Sequence, residues 1–213
     1  MAASTSSSSP CVGRAERQAR RGALLAGLAS MVWPAFVPRA RASVEAGHGA
    51  PACVARALPG ARLSGSAELR WWGLDIYRAW LWVGPHGLDT SRLGAQAFAL
   101  ELRYARSLRG RDIADKSAEL IARLGLGSPA QRRAWHASMR AMFPDVHAGD
   151  TLVGLYRPQP QGGGRSRFVF DGRVVGDIEG QDFAQAFFSI WLSPRTSEPA
   201  LRQALLAGVE QAR

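Results

Sequence analysis

The sequence predicts an α+β domain built on a mostly antiparallel sheet. Three observations carry this reading. Phe98, Leu100, Leu102 and Tyr104 alternate with Ala99, Glu101, Arg103 and Ala105, the period of a strand with one wet face. Residues 112–124 switch to a helical period, with Ile113, Ser117, Leu120, Ile121 and Leu124 on one side. The elements run strands, two helices, strands, two helices, an order that belongs to α+β folds rather than to alternating βαβ units.

Taken in order, Ser43 to Leu58 shows no clear periodicity and reads as a leader, residues 43–59, to a domain over 60–210. The β pattern begins at Ala61. Leu69 to Val83 is dense in Trp, Tyr, Leu, Ile and Val, with Gly73 interrupting the run as a bulge would. Within one strand Trp71 and Trp72 face opposite sides, so one of them covers a second layer, meets a helix or lines a pocket. Gly84-Pro85-His86-Gly87 is a turn before the 98–105 strand. The first helix stops at Gly125. The second starts at Ser128-Pro129-Ala130-Gln131, where Ser128 caps, Pro129 suits the first helical position and Gln131 completes a capping box. Trp135, Met139 and Met142 form its buried face, and Pro144 ends it. Thr151–Tyr156 and Arg167–Phe170 read as strands joined through Gly162-Gly163-Gly164, and the Asp171-Gly172 turn leads into a strand over 173–178. Asp182 is the expected cap of a helix carrying Phe183, Phe187, Phe188 and Trp191. Ser197-Glu198-Pro199 opens the last helix, with Leu201, Leu205 and Leu206 inward.

With 213 residues, 46% hydrophobic, seven Trp and eight Phe, the chain can bury one core of ordinary size and is not a disordered sequence. The formal charge of +10 invites a nucleic-acid reading, but its distribution argues against one. Six of the 27 basic residues precede Ser43, against the single acid Glu16, which leaves 21 basic and 16 acidic residues after it. Lys116 is the only lysine, and no basic stripe is interleaved with aromatics, so no nucleic-acid partner is expected. Residues 1–42 read as a cleaved signal peptide. The basic run Arg14–Arg21 precedes an apolar run over 22–37, and Ala40-Arg41-Ala42 is a small-x-small cleavage site before Ser43. Arg20-Arg21 resembles a twin-arginine signal, with Ala23 where that consensus prefers Phe, so both export routes stay open. The expectation is an exported, periplasmic protein without a membrane span after cleavage.

Nucleophile elbows, HExxH, P-loops and strand-borne GxGxxG motifs are all missing from the sequence. His48, His86, His136 and His147 are widely spaced and read as solvated. Asp145 and Asp150 bracket His147 in a Gly-containing loop and read as turn residues rather than metal ligands. Neither Cys11 nor Cys53 has a zinc-like or CxxC neighbour. No metal and no cofactor is expected. The aromatics at 71–72 and 187–191 are core residues that together could wall an apolar cleft.

Several blocks resemble bacterial chalcone isomerase-like proteins. They are Leu69–Tyr77, Leu100–Arg106, Gly110–Ala114, Phe143–Val146, Gly149-Asp150, and Phe187–Leu192 with Arg195-Thr196-Ser197. They occur in the family's order over about residues 60–207. The resemblance implies an open-faced β-sandwich, a large antiparallel sheet covered by a helical layer with a ligand cleft between. It also implies where the polar residues of the plant enzymes would fall. The ketone-polarising threonine falls at Trp72, the tyrosine at Ile113, the asparagine at Leu120, the lysine at Arg106 and the late-helix hydroxyl at Ser189. The first-strand arginine has no counterpart, since Arg62 and Arg70 both miss. Three polar groups thus become apolar, which removes most of the donors that would stabilise an enolate.

Three readings follow from the resemblance. The first is a non-catalytic protein binding a small apolar acid such as a fatty acid, with Arg106 as anchor and Trp72, Ser189, Ile113 and Leu120 lining the cleft. The second is an isomerase- or lyase-type enzyme using Arg106, Ser189 and a water. The third is an interaction module whose cleft is filled by side chains. The sequence leaves the oligomeric state open.

Overall fold

A computed structural model describes residues 48–159 and 163–210. The expected signal peptide, the Ser43 cleavage site and Gly162 lie outside them. The described residues form a six-stranded antiparallel meander in sequential order: β1 (Arg62–Trp71), β2 (Leu74–Val83), β3 (Phe98–Tyr104), β4 (Thr151–Pro158), β5 (Gly164–Phe170) and β6 (Arg173–Glu179). The alternation in β3 sets its two faces. Phe98, Leu100, Leu102 and Tyr104 enter the main core, whereas Ala99 and Glu101 are buried on the opposite side of the sheet.

Helices α2 (Gly110–Leu124), α3 (Pro129–Met142), α4 (Gln181–Leu192) and α5 (Pro199–Glu210) make the layer over the main-core face. α4 lies on the sheet through its aromatic side chains: Phe188 meets Phe98 edge-on at 4.7 Å and Phe187 meets Phe168 at 5.2 Å. α2 packs on α3 and α4, and α5 packs on β1. That last contact needs Gly65, because a Cβ there would come within 2.0 Å of the Ala204 carbonyl oxygen. The helix boundaries follow local chemistry. α3 has the full Ser128/Gln131 capping box, and Gly125 closes α2 in the left-handed region at φ +71°. The cap of α4 differs from expectation: it is Gly180, at φ +104°, while Asp182 sits in the first turn and accepts a hydrogen bond from Gln131 Nε2 at 3.1 Å. A carboxylate there is favoured by the helix dipole without capping, and glycine takes the positive φ freely.

The run over 69–83 is a hairpin rather than one bulged strand. Trp71 pairs with Leu74, leaving Trp72 and Gly73 as a two-residue turn with φ +51° and +76°. Positive φ at both positions follows the right-handed twist of the flanking strands.

The region read as a leader is packed from residue 48 onward. α1 (Ala52–Ala57) lays Val54, with Leu58 following it, against the second apolar cluster, which holds Trp80, Trp82, Val153, Leu155 and Val169. Cys53 packs at its margin, and burial pushes its thiol up from the ordinary range. His48, expected to be solvated, is the correction of most consequence. Its ring stacks on Trp80 at 4.2 Å, and its Nε2 faces both carboxylate oxygens of Glu101 at 3.1 Å. Glu101 is 2% exposed and also accepts a hydrogen bond from Trp82 Nε1 at 3.0 Å. A carboxylate this deep needs such partners to offset the loss of water. Replacing His48 with Ala should therefore lower stability by about 1–3 kcal/mol in urea melts. His147→Ala, at a side chain 75% exposed, should stay within about 0.5 kcal/mol.

Candidate functional site

The site is built by α2 standing off the sheet. Between them lies a cavity of about 490 Å³, within the range of small-molecule pockets. Leu69, Ile76 and Leu102 form its floor, and Phe187, Ile190 and Trp191 of α4 form a side wall. α2 contributes Ile113, Lys116, Leu120 and Arg123, at i, i+3, i+7 and i+10 on one helical stripe.

The polar atoms in the wall are largely engaged with protein. Trp191 Nε1 donates to the Tyr77 hydroxyl at 2.8 Å, and Ser117 Oγ donates to the Ile113 carbonyl at 2.8 Å. Tyr77 and Tyr104 meet edge-on at 6.1 Å, and burial pushes both phenols well above their ordinary range, so they are neutral near pH 7. The cations of the lining are Lys116 and Arg123, both half-exposed and both paired with Glu119. Lys116 Nζ also lies 5.5 Å from the centre of the Trp71 ring. Asp112 and Glu198 are the carboxyls of the lining, and burial raises that of Glu198 from the usual range. The arrangement can hold a long apolar body and offers charge only at a wetter margin.

The structure brings together two of the five residues that the resemblance singled out. Ile113 and Leu120 line the cavity. Trp72 does not: it occupies the hairpin turn, 85% exposed, and Trp71 lines the cavity instead. Arg106 is exposed in the segment between β3 and α2, outside the lining. Ser189 is buried within α4, where its Oγ accepts from Gln185 Nε2 at 3.4 Å. Lys116, Arg123, Tyr77 and Glu198 escaped the sequence reading. The first two share a helical stripe with Ile113 and Leu120, and that spacing was the signal. Asp145 and Asp150 act in the backbone, accepting from the Gly110 and His147 amides at 2.8 and 2.7 Å.

A second, smaller depression of about 330 Å³ lies beside α1 and is lined by Arg157, Arg165 and Arg167. The last two are paired with Glu179 and Asp177 on β6. Its lining, which also includes Ala57, Leu155 and Pro158, is more polar than the walls under α2.

A six-stranded antiparallel sheet with a helical layer and a cavity between them defines the class. Residues 62–207 match the chalcone isomerase-like family, and the chain belongs to it. Among solved structures, a fatty-acid binding protein of Arabidopsis thaliana matches with a TM-score of 0.52 and 12% identity. The match covers 79% of this chain and 96% of that one, and at this identity it is a likeness of fold. No curated protein matches.

Glu198 generates a pH test. Its folded pKa lies above the unfolded value near 4.5, so the folded state holds the proton longer than the unfolded chain does. The associated stability is complete below that value and declines as pH rises through the folded pKa. Urea melts across this window should show the decline, and Glu198→Gln should flatten it.

Proposed function

We propose that the protein binds a small apolar acid of the fatty-acid class in the cavity under α2, and holds it without transforming it. The observation that carries this reading is the cavity itself: about 490 Å³ walled chiefly by aliphatic and aromatic side chains, Ile113 and Leu120 among them. About ten buried methylenes would contribute about 8 kcal/mol before the costs of association. Lys116 and Arg123 supply positive charge at the margin for the acid head, the place that the resemblance assigned to Arg106. Two features favour holding over conversion. The Ser117 hydroxyl already donates to the Ile113 carbonyl, and the positions that the resemblance assigned to enolate stabilisation are apolar here at Ile113 and Leu120. The Arabidopsis protein of the same fold, named for fatty-acid binding, supports the ligand class. We take the protein to act after export, on the basic, apolar and small-x-small pattern of residues 14–42.

Displacement of a fluorescent fatty acid by straight-chain acids tests the reading. Each added methylene should tighten binding about three- to fourfold until the cavity is full. Leu120→Asp, which sets a carboxylate in the apolar wall, should weaken binding at least about tenfold. No uptake, or affinity indifferent to chain length, would contradict it.

A further inference from the structure

Four large hydrophobic side chains are exposed among the described residues, and three of them sit at the tip of the β1–β2 hairpin. Trp72 is 85% exposed, and Trp71 and Leu74 are each 52% exposed. Folding alone does not ask for them. A two-residue turn with positive φ at both positions is best served by Asn-Gly, yet position 72 holds a bulky Trp at φ +51°. The turn therefore bears backbone strain and an apolar surface together, and gains no packing from either.

The tip adjoins the cavity, because Trp71 belongs to both. Its surroundings are basic. Lys116 lies against the Trp71 ring, and Arg70 stands at the strand end with Asp75 at 2.5 Å. Along α2, Asp112 is shared by Arg109 and Arg111 and Glu119 by Lys116 and Arg123, while Asp115 meets Arg140 and the His136 ring. α2 itself carries three cations and three carboxylates, and Arg109 and Arg140 beside it leave a positive balance along the helix whose Lys116 meets the Trp71 ring. Tryptophan beside basic side chains is the chemistry that settles at the boundary between lipid headgroups and acyl chains. No helix among the described residues is long and apolar enough to cross a membrane, so the contact is with a surface.

We propose that the hairpin tip is a docking element for an anionic bilayer surface: Trp72 and Leu74 enter the headgroup–acyl boundary while the α2 cations meet the headgroups. The cavity then opens beside the phase in which apolar acids dissolve. This purpose rests on the carrier reading; the docking itself does not.

The test is sedimentation of the purified protein with phosphatidylcholine vesicles, with and without phosphatidylglycerol, alongside uptake of a fluorescent fatty acid in vesicle-free buffer. Trp72→Asn suits the turn and leaves the cavity lining untouched; Leu74→Ser is a second variant. The wild type should bind the anionic vesicles more tightly than the neutral ones. Trp72→Asn should weaken that binding at least about tenfold while fatty-acid uptake stays unchanged. Brominated lipid chains should quench the wild-type tryptophan emission more than that of Trp72→Asn. Equal vesicle binding by wild type and variants, or none by the wild type, would overturn the proposal. So would loss of fatty-acid uptake in Trp72→Asn, or self-association without vesicles that Trp72→Asn abolishes. Vesicle binding through Trp72 by a protein that takes up no fatty acid would keep the docking element and overturn the carrier reading.

Discussion

The aromatic contact between α4 and the sheet governs the rest of the architecture. Phe187 and Phe188 bring α4 down onto Phe98 and Phe168, and α2 then rests on α4 and α3 instead of closing onto the strands. The gap that this spacing leaves beneath α2 is the cavity. Its walls are apolar for the same reason that the core is apolar, since both are faced by the inward residues of one sheet. A smaller residue at Phe187 or Phe188 would remove the support on which α2 stands, not merely trim a contact.

The opposite face of the sheet follows a different logic. There a charged residue, Glu101, is buried and kept tolerable by Trp82 and His48, while α1 adds apolar cover through Val54. Beyond that patch, β5 and β6 exchange ion pairs in the open, Arg165 with Glu179 and Arg167 with Asp177. Exposed pairs of this kind contribute little individually. Among the described residues, α1 and Leu58 supply apolar cover to this face.

What the sequence revealed was local. The β3 alternation, the α2 period, the α3 capping box and the Asp171-Gly172 turn all encode their structure within a few residues, and all appear in the molecule. The wet face expected of β3 is only partly so, because Glu101 is covered by a partner 53 positions away. That pairing has no local trace. Trp72 was misplaced for a subtler reason. Alternation assigns sides only inside a strand, and the Trp-Gly turn lacks the Asn or Asp that signals a hairpin. Aligning residues with a family likewise fixes a position along the chain without fixing a side-chain direction. Ile113 and Leu120 face the cavity, whereas Ser189 is buried within α4 and Arg106 lies in an exposed connection. The cations of the lining were legible in principle, as members of the stripe that contains Ile113 and Leu120.

The claim at the centre is that the space under α2 is occupied by a ligand when the protein works. Native mass spectrometry of protein purified without detergent measures this directly. The expected spectrum is the chain with an added mass, released on denaturation, that identifies as a long-chain acid. A bare chain that gains no mass from a panel of fatty acids would contradict it.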